Sequence, residues 1–117
     1  MTQTTYILLL EDDINLSTVL ADYLHSKGYA VDTAMDGKEG WEMLSHKHYD
    51  ILLTDIMMPR MNGLQVLKNL RESNNPIPVI IVSAKNDRED ITKGYNLGCD
   101  DYVTKPFGML ELISRIK

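Results

Sequence analysis

Polar side chains able to do chemistry follow four apolar stretches of this 117-residue chain, each where the stretch ends. They are Glu11-Asp12-Asp13 after Tyr6–Leu10, Asp55 after residues 51–53, Ser83 after residues 79–82, and Lys105 after residues 102–104. Carboxylates held together repel one another, so each raises the affinity of the others for a proton or a cation. Mg²⁺ suits such a cluster because it prefers oxygen ligands and keeps several waters, which leaves room for a phosphoryl oxygen.

Lys105 and Ser83 add a cation and a hydroxyl to this group, which is unusual for a site that only binds a metal. They suit an incoming anion, with the ammonium of Lys105 as a point charge and the hydroxyl of Ser83 as a hydrogen-bond donor. Asp55 is then either a third metal ligand or a nucleophile that becomes an acyl phosphate. The set favours in-line phosphoryl transfer, in which the protein supplies positioning and charge neutralisation.

The elements that must position these side chains alternate between strand and helix along the chain. Apolar runs predict strands over residues 6–10, 29–34, 51–54, 79–82 and 102–104. Helices are predicted over residues 16–24, 40–44, 64–70, 87–97 and 109–116, with Gly28 and Gly98 as helix stops. Five strand–helix units indicate a parallel sheet covered on both faces. In such a sheet the site lies beyond the carboxyl ends of the strands, where all of these polar residues fall.

The composition excludes several classes of protein. Hydrophobic residues at 44% and charged residues at 25% fit one ordinary globular domain. The single cysteine, Cys99, cannot form an intrachain disulfide and fits a reducing compartment, so we expect a cytoplasmic location. No apolar run approaches the roughly 20 residues of a membrane span, and no signal-peptide pattern is present. The net charge of −5 argues against nucleic-acid binding by this segment itself.

The order and spacing of these residues resemble the receiver domain of two-component response regulators, over the whole chain. The segments that carry the resemblance are residues 7–13 (ILLLEDD), 55–63 (DIMMPRMNG), 82–84 (VSA) and 98–107 (GCDDYVTKPF). The resemblance implies an α/β, flavodoxin-like fold, which is a doubly wound five-stranded parallel sheet of strand order 2-1-3-4-5 with five helices. The chain is most similar to the receivers of winged-helix transcription-factor response regulators.

The resemblance implies a role for each residue of a phosphorylation site that uses Mg²⁺ as its cofactor. Asp55 is expected to accept the phosphoryl group and also to bind the ion. Asp12 would bind Mg²⁺ directly, and Glu11 would act through a coordinated water. The backbone carbonyl of Met57 would complete the protein's share of the coordination shell.

The same resemblance implies a conformational switch beside this site. Lys105, aimed by a cis peptide bond to the following proline, would pair with the phosphoryl group, and Ser83 would move to donate a hydrogen bond to it. Tyr102 matches the switch aromatic, which turns inward as Ser83 moves. Met57 and Lys85 match the positions that tune autodephosphorylation. The chain is therefore expected to be a phosphoacceptor that assists its own phosphotransfer and dephosphorylation, and not an enzyme.

The implied partners are a sensor histidine kinase and, on phosphorylation, a second copy of the chain. The face expected to dimerise carries Asp100, Asp101, Glu111 and Arg115. DNA would be reached only through an output domain that regulates transcription and is absent from this chain, and no membrane partner is expected. We predict one receiver domain over residues 1–117, excised from a longer response regulator, because the last helical pattern carries no stop signal.

Three other functions make different demands on the sequence. A phosphohydrolase that forms an aspartyl phosphate needs a second Asp two residues after the nucleophile, where this chain has Met57. A flavodoxin needs a hydroxyl- or glycine-rich loop after the first strand to hold a phosphate, where this chain has three acids. A receiver-like interaction module that works without phosphorylation is the remaining alternative, and the intact site residues argue against it.

Overall fold

A computed structural model of the chain describes residues 4–116, which form a five-stranded parallel sheet between two layers of helices. The strands are β1 (Tyr6–Leu10), β2 (Ala30–Ala34), β3 (Ile51–Thr54), β4 (Val79–Ser83) and β5 (Asp101–Thr104). The helices are α1 (Ile14–Ser26), α2 (Gly37–His46), α3 (Gly63–Glu72), α4 (Arg88–Leu97) and α5 (Met109–Ile116). The strand order β2-β1-β3-β4-β5 confirms the predicted doubly wound fold. The end positions of the predicted 1–117 domain lie outside the described residues.

Both faces of the sheet are covered by helices and buried. Successive residues of each strand point to opposite faces, so each strand contributes to both cores. On one face, Leu8 and Leu52 pack with side chains of α2, α3 and α4. On the other face, Leu9 and Leu53 pack with side chains of α1 and α5. Every residue of β3 is buried, so this strand lies at the centre of the core. Among residues 4–116, no helix combines the length and the apolar character that crossing a bilayer requires.

The largest difference from the predicted elements is the length of α2, which begins at Gly37 rather than at residue 40. The side chain of Asp36 sets this start, because it accepts a hydrogen bond from the Glu39 backbone N–H at 2.8 Å. The Glu39 carboxylate in turn accepts from the Met35 backbone N–H at 2.9 Å. These two bonds satisfy amides at the helix start that have no partner within the helix, so the helix begins before its apolar positions do.

The register of the strands brings their carboxyl ends to one edge of the sheet. Leu10 of β1 lies beside Thr54 of β3, and Ser83 of β4 lies beside Thr104 of β5. Since β3 and β4 are also paired, the residues that follow β1, β3 and β5 are neighbours across this edge. The polar residues collected there are Glu11, Asp12, Asp55, Ser83 and Lys105.

Candidate functional site

The carboxylates of Glu11, Asp12 and Asp55 meet at the carboxyl edge of the sheet. Each offers an oxygen that lies within 4.8 Å of oxygens of the other two. Oxygen ligands of Mg²⁺ lie about 2.1 Å from the ion, so opposite ligands are about 4.2 Å apart. Glu11 and Asp55 are buried, whereas Asp12 is exposed to solvent. An all-oxygen donor set with one open side fits a hard divalent cation that retains several waters.

Lys105 forms ion pairs with two of these carboxylates. Its Nζ atom donates to Glu11 Oε1 at 2.7 Å and to Asp55 Oδ2 at 2.9 Å. The backbone helps to place it, because the Lys105 N–H donates to the Ser83 carbonyl at 2.8 Å. The bond from Lys105 to Pro106 is cis, as expected. Burial works to lower the pKa of Lys105, but the hydrogen bonds to Glu11 and Asp55 and the negative charges of these carboxylates together outweigh it, so the pKa lies above its ordinary value.

The pKa of Glu11 is raised, mainly because the side chain is withdrawn from water. The hydrogen bond from Lys105 opposes this shift, and the negative charge of Asp55 adds to it. Glu11 also accepts a hydrogen bond from the Asp13 backbone N–H at 3.2 Å. Two carboxylates that share one lysine are thus under-compensated, and a divalent cation would relieve the remaining repulsion.

Backbone contacts hold Asp55 in a fixed orientation. Its Oδ1 atom accepts a hydrogen bond from the Ile56 N–H at 2.6 Å, and its own N–H donates to the Leu10 carbonyl at 3.0 Å. The hydroxyl of buried Thr54 donates to the Asp55 carbonyl at 2.8 Å. A Cβ at Gly63 would lie 2.0 Å from that carbonyl oxygen, so only glycine lets the start of α3 approach it. The carboxylate of Asp55 is therefore held in the acidic cluster, with its Oδ2 atom bound to Lys105.

Ser83 and Tyr102 are linked through the backbone of Lys85. The hydroxyl oxygen of Ser83, which is fully buried, accepts a hydrogen bond from the Lys85 N–H at 3.1 Å. The Tyr102 hydroxyl donates to the Lys85 carbonyl at 2.6 Å. The Tyr102 ring is turned inward and packs against α4, where a Cβ at Gly94 would lie 3.2 Å from it. Within residues 4–116, the Ser83 side chain forms no hydrogen bond with Asp55 or Lys105.

Met57 follows Asp55 by two residues and is 60% exposed beside the cluster. The side chain of Lys85, on the loop after β4, is also exposed. Both residues therefore flank the carboxyl edge of the sheet, on the loops after β3 and β4. Within residues 4–116, the ammonium of Lys85 forms no ion pair with a carboxylate.

The four charged residues predicted for a dimer face are partly engaged within the chain. Arg115 Nη1 donates to Asp101 Oδ2 at 3.2 Å, which ties α5 to β5. Asp100 Oδ2 accepts from a β4 backbone N–H at 2.8 Å and from Arg71 Nη2 at 3.2 Å. Glu111 is exposed on α5. Asp100 thus stabilises the turn between α4 and β5, while Glu111 is open to solvent.

Two arginines that the sequence did not single out hold loops in place, Arg60 at the carboxyl edge of the sheet and Arg71 at the opposite, amino edge. Arg60, in the β3–α3 loop (residues 55–62), donates from Nε and Nη2 to Asp36 Oδ2 at 3.1 and 2.6 Å. Arg71 of α3 donates to two carbonyls of the loop before β4 and to the Gly98 carbonyl, at 2.8 to 3.1 Å. Arg60 bonds to a residue 24 positions away, and Arg71 bonds to backbone carbonyls. Neither kind of bond leaves a periodic pattern in the sequence, so sequence reasoning could not have identified these two residues.

Comparison with known proteins identifies close relatives of this arrangement. A profile of the family described as response regulator receiver domain matches residues 7–117. The transcriptional regulatory protein RprY of Bacteroides fragilis (strain YCH46) is 42% identical over 117 residues, which are 100% of this chain and 50% of RprY. The chain spans about half the length of the curated relatives that it matches.

Solved structures give the same result for the fold. The receiver domain of the Francisella response regulator 1452 is 36% identical with a TM-score of 0.93, covering 97% of this chain and 93% of that chain. A CheY-like receiver domain protein from Methanospirillum hungatei JF-1 is 25% identical with a TM-score of 0.92, covering 97% and 91%. The strand order and the five covering helices are thus those of a known architecture.

Proposed function

Since this chain belongs to the response regulator receiver family, we propose that it is a phosphorylation-dependent signalling switch with Asp55 as its phosphoacceptor. The observation that carries the proposal is the position of Asp55 beside both a lysine ammonium and two other carboxylates. Its carboxylate lies 2.9 Å from Lys105 Nζ and within 4.8 Å of oxygens of Glu11 and Asp12. Positive charge on both sides would reduce the repulsion between Asp55 and an incoming phosphoryl group.

The proposed reaction moves a phosphoryl group from a phosphohistidine of a sensor kinase to Asp55. A carboxylate oxygen attacks phosphorus, and a new O–P bond forms while the N–P bond of the phosphohistidine breaks. The imidazole leaves with the electron pair and takes up a proton from water. Lys105 then exchanges its bond to Asp55 for one to a phosphoryl oxygen, and its bond to Glu11 keeps the ammonium in place.

A bound Mg²⁺ would neutralise charge on the transferring phosphoryl oxygens. The residues proposed to hold it are Asp12 and Asp55 directly, Glu11 through a water, and Met57 through its backbone carbonyl. The acidic cluster supports this assignment, because its three carboxylates converge within 4.8 Å and include an exposed member through which the ion can enter.

The proposed conformational response starts at Ser83. Its hydroxyl would leave the Lys85 N–H and donate to the phosphoryl group, so the loop after β4 would shift. Because the Tyr102 hydroxyl is bound to the carbonyl of the same Lys85 at 2.6 Å, this shift would reach Tyr102 and α4. Met57 and Lys85, which flank the site, are the residues proposed to set the rate of autodephosphorylation.

The direct test incubates the protein with Mg²⁺ and acetyl phosphate or phosphoramidate and measures the intact mass. We expect a gain of one phosphoryl group that needs Mg²⁺ and is absent in Asp55→Asn. Asp13→Asn is the matched control, since Asp13 caps α1 by accepting from the Leu16 N–H at 3.2 Å and Asn caps equally well. No adduct, or one that persists in Asp55→Asn, would favour an interaction module that works without phosphorylation.

We also propose that the switch serves a longer, cytoplasmic transcriptional regulator and promotes dimerisation. The name of RprY supports the transcriptional output for that relative. The proposed dimer face is Asp100, Asp101, Glu111 and Arg115. Sedimentation should show a monomer without an acyl-phosphate mimic such as beryllofluoride and a dimer with it. An unchanged monomer mass would remove the dimerisation part of the proposal and leave phosphorylation at Asp55 untouched.

A further inference from the structure

Arg60 occupies a backbone conformation that its residue type disfavours. Its φ is +68°, in the left-handed region where a residue with a Cβ is strained. Glycine or asparagine would adopt this conformation more readily. Such strain persists only when the surroundings determine the conformation. Its presence in the loop that follows Asp55 calls for a contact that glycine could not make.

That contact is the ion pair between Arg60 and Asp36. Two guanidinium nitrogens bind one carboxylate oxygen, and Asp36 is 8% exposed although Arg60 lies at the surface. The bonds to Glu39 and Arg60 together hold the pKa of the Asp36 carboxyl below its ordinary value. Arg60 is thus tied to a side chain that is itself fixed at the start of α2.

The ion pair joins two segments that border the acidic cluster. Asp36 lies two residues after Ala34, whose carbonyl accepts a hydrogen bond from the Glu11 backbone N–H at 3.1 Å. Next to Asp36, a Cβ at Gly37 would lie 1.8 Å from the Met61 carbonyl oxygen, so the two segments are in direct backbone contact. Arg60 and Asp36 therefore connect the β3–α3 loop to the corner beside Glu11.

The rest of the β3–α3 loop is held at its two ends. The Gly63 N–H donates to the Ile56 carbonyl at 3.0 Å, and the side chain of Met58 is buried in the core. Met57 lies between these anchors with an exposed side chain. We infer that Arg60, through its ion pair with Asp36, is a positioning residue that fixes the loop so that the Met57 carbonyl is presented to the metal. This inference rests on the proposed function, and specifically on its Mg²⁺ site.

The loss of charge and the loss of positioning at Arg60 are expected to change the Mg²⁺ affinity in opposite directions, so a measurement can distinguish them. Arg60 is a cation near an acidic site, so replacing it by a neutral residue should by charge alone tighten the binding of Mg²⁺. Loss of positioning should weaken it. Arg60→Asn is the informative variant, because Asn accepts a positive φ and the strain at this position does not increase.

The experiment measures the Mg²⁺ dissociation constant by titration calorimetry for the wild type and its variants. We expect Arg60→Asn to weaken binding on the order of threefold to tenfold, below the loss typical of residues that contact a metal ligand directly. Arg60→Lys, which keeps the charge but not the two-nitrogen contact, should recover part of the affinity. In an Asp36→Asn background, Arg60→Asn should cause no further weakening of Mg²⁺ binding, because the partner is already lost and only the effect of charge remains.

Lys47→Asn is the matched control. It also removes one positive charge and one ion pair, since Lys47 Nζ lies 2.8 Å from Asp32 at the other end of α2. We expect its Mg²⁺ affinity to stay within about twofold of the wild type. Amide hydrogen exchange of metal-free protein supplies a second readout, with faster exchange over residues 57–62 in Arg60→Asn than in Lys47→Asn.

The outcomes separate the two levels of the proposal. Wild-type protein that binds Mg²⁺ while Arg60→Asn binds it equally or more tightly would overturn the positioning role alone. Wild-type protein that binds no Mg²⁺ would overturn the metal site of the proposed function. Weakened binding in Arg60→Asn, with unchanged binding in Lys47→Asn, supports the inference.

Discussion

Replacing Asp12 by asparagine should stabilise the metal-free protein. The three carboxylates converge within 4.8 Å, and two unit charges at that limiting separation repel by about 0.9 kcal/mol in water and about 3.5 kcal/mol at an effective dielectric constant of 20. Asp12 is exposed, so the lower value applies to each of its two carboxylate neighbours. The ammonium of Lys105, bound to both neighbours, cancels about half of the sum, which leaves about 1 kcal/mol of repulsion. For a domain of this size, the expected rise in Tm is about 4 °C.

Thermal unfolding in EDTA at low salt measures this gain, with Asp13→Asn as the control. The Asp13 side chain caps α1 and is not a member of the cluster, so its replacement should change Tm little. High salt should reduce the gain of Asp12→Asn, because the charges are screened. With Mg²⁺ the order should reverse, since the proposed Mg²⁺ site is complete only in the wild type and a bound ion would stabilise the folded protein. An Asp12→Asn protein with an unchanged or lower Tm in EDTA would refute the electrostatic reasoning.

Two further predictions concern the packing around the site and the single thiol. Gly63→Ala should destabilise the protein by about 3 kcal/mol or more in urea unfolding, because the added Cβ would lie 2.0 Å from the Asp55 carbonyl oxygen. Gly108→Ala is the control and should be nearly neutral, because no atom lies within 4 Å of its added carbon. Cys99 is buried, and burial raises its pKa to about 11, so Ellman's reagent at pH 8 should label the thiol only as fast as the protein opens. The same shift means that burial of the neutral thiol supports folding below about pH 9 and that this contribution is lost as the pH rises through 11; rapid labelling of folded protein would contradict both statements.

Much of the fold could be predicted from the sequence, because burial on both faces of a parallel sheet requires continuous apolar strands. The bounds of β1 and β3 and the start of α5 agree with those predicted, and Gly28 and Gly98 have the positive φ expected of helix stops. The starts of α1 and α2 were less accurate. Helix starts depend on which side chain captures the free amides, and Asp13 and Asp36 capture them before the apolar spacing begins.

The sequence alone determined which residues gather at the site. Residues that follow neighbouring parallel strands must lie at the same edge, whatever the loops do, so Glu11, Asp55 and Lys105 could be grouped before any coordinates were known. Only the tertiary structure decided how they are paired. Lys105 binds Glu11 as well as Asp55, over a separation of 94 residues, and Arg60 binds Asp36 over a separation of 24. The physical reason is that periodicity records which side chains are buried, whereas a hydrogen bond depends on the distances and directions that only folded loops set.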